Sequence, residues 1–342
     1  MAINSVKAHR NGDAPTDSKD PANRPEPTSP RWRPWLKRAA GLAFFAVVAV
    51  LLVSQAKNIE WIEVLGSLKR YPLGAVWGAA ALAALSLALY SCFDLLGRRY
   101  TGHPLGTRRV MTITFVSYVF NLNLGSLMGT VAMRYRLYSR QGLNLGTIAR
   151  VMSLSMLTNW SGYLLLAGLV FSLQPPAMPD SWAINSFQLR LVGVVLLGLV
   201  VAYLAACAFL KQRSFEVRGH TVELPSARMA LVQVLMGATN WLLMAGIVYV
   251  LLLQRIDLAT VTSVLLLAAI AGIITHIPAN LGVLEAVFVS LLSHRLPTHE
   301  LLAGLVAYRL IYFLLPLAVA VAVFVVLELA ARKKPGTQAA DG

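Results

Sequence analysis

The chain has 342 residues, 57% of them hydrophobic and only 13% charged, with a mean hydropathy of +0.64 and a formal charge of +15. A soluble domain of this length does not carry so much apolar surface, so the composition predicts a polytopic membrane protein. The positive charge does not signal nucleic acid, because the Lys and Arg residues fall in short clusters between apolar runs, as in cytoplasmic membrane loops.

Residues 1–38 are polar and Pro-rich and lack the apolar core of a signal peptide, which predicts a disordered, basic cytoplasmic tail. Arg31, Arg33, Lys37 and Arg38, interleaved with Trp32 and Trp35, form a collar that anchors a helix end at the interface. Eight apolar runs then approach the ~20 residues of a spanning helix: Ala39 to Ala56, Pro72 to Gly97, Val110 to Met133, Val151 to Leu173, Leu191 to Leu210, Met229 to Leu253, Ala259 to Leu292 and Leu301 to Ala331. Together they define a membrane domain over residues 39–331, followed by a short basic tail at 332–342. Cys92 and Cys207 each lie inside an apolar run and outline neither a disulfide framework nor a thiol metal site.

Two runs are irregular. The third carries Asn121, Asn123, Gly125, Ser126 and Gly129, and the seventh is interrupted by His276-Ile277-Pro278-Ala279-Asn280-Leu281-Gly282-Val283-Leu284-Glu285. Pro278 removes a backbone donor and clashes with the preceding turn, and Gly282 adds a freedom that a lipid-facing helix does not need. Freed backbone groups in hydrocarbon cost several kcal/mol each, so such a break is expected where protein or a water-filled cavity covers it.

Loop charge decides whether these two runs cross. Residues 98–109 hold Arg98, Arg99, Arg108 and Arg109, and residues 134–150 hold Arg134, Arg136, Arg140 and Arg150, so both flanks of the third run belong in the cytoplasm. The third run must then dip in and return. Arg332, Lys333 and Lys334 make the same case for a seventh run re-entering from outside. The expected fold is all-α: about six spanning helices and two re-entrant hairpins, with both termini cytoplasmic and most of the 30 basic residues inside. The two halves then have opposite orientation, an inverted-topology repeat.

Glu285 and Arg309 are the ionisable residues placed deepest, each costing ~2.5 to 3.5 kcal/mol at a helix centre. They either pair with each other or meet a lipid headgroup, Arg309 an anionic phosphate and Glu285 a cationic group. His276 can titrate near neutrality or satisfy carbonyls freed by Pro278. Asn121, Asn123 and Asn280 can coordinate a headgroup or satisfy the broken backbone. Arg134, Arg136 and Tyr138 stand where the third run leaves the membrane, as a lipid-phosphate site or a plain interfacial cluster. No hydrolase elbow, Walker loop, zinc-protease motif or metal-spaced cysteine pair occurs, so neither catalytic residues nor a cofactor are expected.

Met133-Arg134-Tyr135-Arg136-Leu137-Tyr138 with Gly142, then Pro278-Ala279-Asn280-Leu281-Gly282-Val283-Leu284-Glu285, then Tyr308-Arg309-Leu310-Ile311-Tyr312 with Pro316, resemble the lysylphosphatidylglycerol synthase transmembrane region, or flippase-like domain, over roughly residues 38–330. The resemblance implies a bacterial inner-membrane module that translocates or handles a polar phospholipid headgroup, anionic or aminoacylated. Pro278, Gly282, Glu285, Arg134, Arg136 and Arg309 are its matching positions. The family's aminoacyl transferase half is missing, so lysyl transfer is not carried over, and a separately encoded lipid-modifying enzyme is an implied partner. Two other readings stay open: a membrane-embedded enzyme acting on lipid phosphate, and a non-catalytic anchor for a separate lipid synthase.

Overall fold

The computed structural model describes residues 71–332, apart from 180, 181, 183, 211–213, 218, 219, 276, 278 and 279, together with residue 66. The protein is an all-α polytopic membrane protein. Six described helices are long and apolar enough to cross a bilayer: Leu73–Thr101, Leu145–Leu173, Ser186–Phe209, Ala227–Leu251, Leu258–Thr275 and Thr298–Leu327. Five of them are expected spans, and Leu258–Thr275 is the first arm of the broken seventh run. The first run, Ala39 to Ala56, lies outside the described residues.

The first span comprises α1 (Leu73–Ser91) and α2 (Phe93–Thr101), joined at Cys92. The third run folds as α3 (Thr107–Leu124), a turn at Gly125 and Ser126, a π-helical segment π1 (Leu127–Met133) and α4 (Arg134–Ser139). Next come α5 (Leu145–Leu173), α6 (Ser186–Phe209) and a two-stranded antiparallel hairpin, β1 (Ser214–Val217) with β2 (His220–Glu223). The remaining elements are α7 (Ala227–Leu251), α8 (Leu258–Thr275), α9 (Val283–Leu292), α10 (Thr298–Tyr308), a second π segment π2 (Arg309–Leu314) and α11 (Leu315–Arg332).

Polar caps start the helices earlier than hydropathy alone places them. Asn144 accepts from the Thr147 N–H at 2.8 Å, and Asn185 and Gln188 form a reciprocal capping box, so α5 and α6 begin at Leu145 and Ser186 rather than at Val151 and Leu191. Arg150 and Arg190 therefore sit on helices, not in loops.

Lipid-facing helices differ plainly from central ones. The apolar window of α6 is only 17% buried, whereas those of α5 and α8 are 50% buried. Leu191, Val194, Val195, Leu199 and Val201 of α6 are exposed, as expected of a helix whose solvent is hydrocarbon. At the centre, α5 and α7 cross through Gly162 and Gly237, where no room exists for a Cβ on either residue. Without a hydrophobic force between helices in lipid, such close backbone approach supplies the packing.

α1 and α7 run antiparallel: Gly78 meets Val250, Leu82 meets Gly246, and Ser86 Oγ donates to Asn240 Oδ1 at 2.8 Å. α2 packs on α5 as α7 packs on α10, and α1 packs on α3 as α7 packs on α8. Likewise α4 lies on α5 as α9 lies on α10, and α3 touches π2 and α11 as α8 touches α5.

Candidate functional site

Both interrupted runs return on themselves and converge on π2. In the third run, Gly125 leaves the helix with φ 85°, and π1 packs back so tightly that Gly129 has no room for a Cβ against the Asn121 backbone. The Asn121 carbonyl accepts the Gly125 N–H at 2.9 Å, so Asn121 serves the turn through its main chain. The Asn123 side-chain amide donates to its own helix at the Val119 carbonyl, 2.9 Å, and across to the Phe313 carbonyl in π2, 3.3 Å.

The seventh run is held from the other side. Gly282 adopts a left-handed conformation, φ 76° and ψ −27°, that a side chain would strain, and α9 starts from it. Asn280, itself at φ 50°, packs its side chain against Gly272 of α8, which closes the two arms on each other. Arg309 Nε donates to Glu285 Oε1 at 2.5 Å, while Nη2 donates to Glu285 Oε2 at 3.0 Å and to the Asn280 carbonyl at 2.9 Å. The bidentate fork satisfies a planar carboxylate in the way a lysine would not. Its guanidinium also lies 5.6 Å from the centre of the Phe313 ring. The two side chains keep 15% and 16% of their surface exposed, so the pair is sheltered but not sealed.

The structure thus brings Asn123, Asn280, Gly282, Glu285 and Arg309 together. His276 and Pro278 lie outside the described residues. Asn121 and Gly125 form the turn of the third run beside them, whereas Arg134, Arg136 and Tyr138 fall elsewhere, and differently from an interfacial cluster. Arg134 is 1% exposed and pairs with Asp94, itself fully buried, at 3.1 Å. Arg134 Nη2 also donates to Ser155 Oγ at 3.0 Å, and the Tyr138 hydroxyl donates to the other Asp94 oxygen at 2.8 Å. Arg134 Nε and Nη1 meet no hydrogen-bond partner among the described residues. Only Arg136 stays exposed, with its guanidinium 5.5 Å from the Phe324 ring centre. An isolated charge cannot be buried at acceptable cost, so Arg134 goes inside only because Asp94 is there to receive it.

Aromatic side chains connect the two ion pairs. The Tyr90 phenol lies within electrostatic reach of Arg134 and its ring stacks on Tyr118. The hydroxyls of Tyr118 and Tyr312 are 3.0 Å apart, and that of Tyr312 is 2.8 Å from Ser86 Oγ. Tyr312 stacks on Tyr308 at 5.5 Å and contacts Phe313 edge-on. Elsewhere, Tyr163 of α5 donates to the Leu266 carbonyl of α8 at 3.0 Å.

Sequence reasoning missed Asp94, although an acid inside the otherwise apolar run Pro72 to Gly97 is itself a signal. Ser86, Tyr118 and Asn240 carried no such mark, since single hydroxyls and amides are common in membrane helices. Among the described residues no three His, Cys, Asp or Glu side chains gather to share a metal ion.

Residues 38–320 match the family model described as the lysylphosphatidylglycerol synthase TM region. The chain is 43% identical to the inner membrane protein YbhN of Escherichia coli (strain K12) over 305 residues, which cover 89% of this chain and 96% of that protein. It is also 29% identical to an uncharacterized protein of Synechocystis sp. over 282 residues, 82% of this chain and 87% of the relative. The chain therefore belongs to the lysylphosphatidylglycerol synthase transmembrane-region family.

Proposed function

We propose that this protein is a bacterial inner-membrane protein that passes or exposes a polar phospholipid headgroup, anionic or aminoacylated, at the junction of two re-entrant hairpins. The observation that carries this reading is the convergence of both breaks on π2, beside the partly accessible Glu285 and Arg309 pair. Arg309 stands roughly 16 Å along the last span at 1.5 Å per residue, near the middle of a ~30 Å hydrocarbon core. Bare carbonyls, left-handed turns and a charge pair at that depth fit a polar passenger better than lipid tails.

The inverted repeat is part of the same reading. Antiparallel α1 and α7, and the matched packing of each half's hairpin on the other half's last helix, are what a two-fold axis in the membrane plane predicts. Both termini then lie in the cytoplasm. An anionic phosphate would compete with Glu285 for Arg309, and a cationic aminoacyl group with Arg309 for Glu285, so the pair acts as a gate that opens when either finds a better partner. The reading requires no covalent chemistry, and a separate lipid-modifying enzyme is its natural partner.

The test is reconstitution of the purified protein into vesicles with a panel of headgroup-labelled phospholipids. Faster transbilayer exchange of at least one polar lipid than in empty vesicles is the expected result. Headgroup turnover without exchange would instead favour a membrane-embedded lipid enzyme, and no effect on any lipid would favour an anchoring role.

A further inference from the structure

A second place in the fold has the chemistry of an anion site. α2 ends at Thr101, Gly102 turns at φ 67°, and α3 begins at Thr107 behind Gly106 with no side chain capping its first turn. The bend borders an open pocket of about 450 Å³ lined by Leu95, Arg98, Arg99, Gly102, His103 and Thr107. Arg98 Nη1 donates to Thr107 Oγ1 at 2.7 Å, which fixes one guanidinium in the cavity wall. The exposed Arg99 contributes a second.

His103 is the telling residue. It is 7% exposed, yet neither Nδ1 nor Nε2 has a hydrogen-bond partner among the described residues. A buried polar group left unsatisfied forfeits its hydration without replacement, so such a group in a native fold calls for a partner. Burial pushes the imidazole below its ordinary value, the Arg98 charge lowers it further, and Asp94 works against both. The Asp94 charge is offset by its ion pair with Arg134 at 3.1 Å, and the Tyr138 hydroxyl donates to its other oxygen, so Arg98 and Arg99 leave the cavity wall net positive. The Tyr138 ring closes the far side of His103 at 6.2 Å between centroids.

We infer that this bend binds a phosphate group, with Arg98 and Arg99 supplying charge, Thr107 and the open first turn of α3 supplying donors, and His103 supplying the buried hydrogen bond. Two arginines and an uncapped helix N-terminus around one cavity suit a tetrahedral oxyanion, and the volume leaves room for a glycerol-sized substituent. The site lies beyond the hairpin junction and needs no lipid movement. The phosphate can belong to a lipid headgroup or be free in solution.

Calorimetric titration of the purified full chain in detergent separates the sources, with inorganic phosphate, dihexanoyl phosphatidate and phosphate-free dihexanoylglycerol as probes. Binding of inorganic phosphate identifies a free anion as sufficient, and binding of phosphatidate alone identifies a lipid source. In either case Arg99→Gln, a surface change that leaves folding intact, and His103→Gln should together weaken binding at least tenfold at an unchanged melting temperature. Absence of binding by both phosphate probes overturns the assignment. So does equal binding of dihexanoylglycerol, or binding that the two substitutions leave unchanged.

Discussion

Asn123 donates its side-chain amide to the main-chain oxygen of Phe313, whose ring lies under the Arg309 guanidinium. A residue at the tip of one interrupted helix thereby touches the same turn of π2 that grips the tip of the other through Asn280 and Glu285. The π register of this segment, with bonds to the fifth residue rather than the fourth, widens the helix and displaces carbonyls from their usual positions.

The Glu285 and Arg309 pair is predicted to be structurally coupled. Glu285→Gln and Arg309→Gln should each cost about 3 kcal/mol, because each leaves an uncompensated charge, lowering the melting temperature in detergent by roughly 5–10 °C. Combining them should recover much of the loss. Strictly additive losses would show that the two side chains do not stabilise the fold through each other.

At the buried pair, Tyr138→Phe should cost about 1.5–3 kcal/mol, the worth of a hydrogen bond to a charged acceptor. Asp94→Asn should cost more, since Arg134 then has no counter-charge, and Asp94→Asn with Arg134→Gln should be milder than either alone. Thermal unfolding of the four variants decides the order, and an unaffected Asp94→Asn would remove the case for a structural pair.

Asp257 caps α8 by accepting from the Thr260 N–H at 2.8 Å and the Thr260 hydroxyl at 2.9 Å. Burial alone would raise its carboxyl, but the Thr260 hydrogen bonds and Arg295 outweigh it and hold it below the ordinary range. A carboxyl depressed in the folded state stabilises above its unfolded value near 3.9 and loses that contribution as pH falls through the folded value. Asp257→Ala should therefore cost about 1 kcal/mol at pH 7, a gap that narrows below about pH 4. A gap independent of pH would point to packing instead.

Single cysteines in a background lacking Cys92 and Cys207 test the proposal that both interrupted runs re-enter, one from each side. Ser139 and Thr298 are both exposed, one beyond each interrupted run. Impermeant reagent should reach Ser139→Cys from the cytoplasmic side and Thr298→Cys from the outer side. Labelling of both from one side would contradict the paired re-entrant arrangement.

Much of this was legible before any coordinates. Apolar runs gave five of the six described spans, and the polar interruptions at Asn121 to Gly129 and His276 to Glu285 marked both turns. The partner of Arg309 was legible as one of two alternatives, because few other charges lie at that depth. What was not legible was lateral: that Arg134 turns inward to Asp94, and that a Tyr90, Tyr118 and Tyr312 chain joins α1, α3 and π2. Hydropathy reports depth along the membrane normal, whereas such contacts depend on which helix faces meet. Within a lipid-bathed helix both faces are apolar, so periodicity carries little of that information.

The most direct test of headgroup handling at the hairpin junction is the rate of transbilayer exchange of headgroup-labelled phosphatidylglycerol in vesicles carrying wild type or the Glu285→Gln, Arg309→Gln double variant. The double variant is the informative one, because it is predicted to stay folded while the charged junction is gone. Exchange at least tenfold slower than wild type at equal protein incorporation is the predicted result. Exchange at the wild-type rate would contradict the account and move the lipid path away from the hairpins.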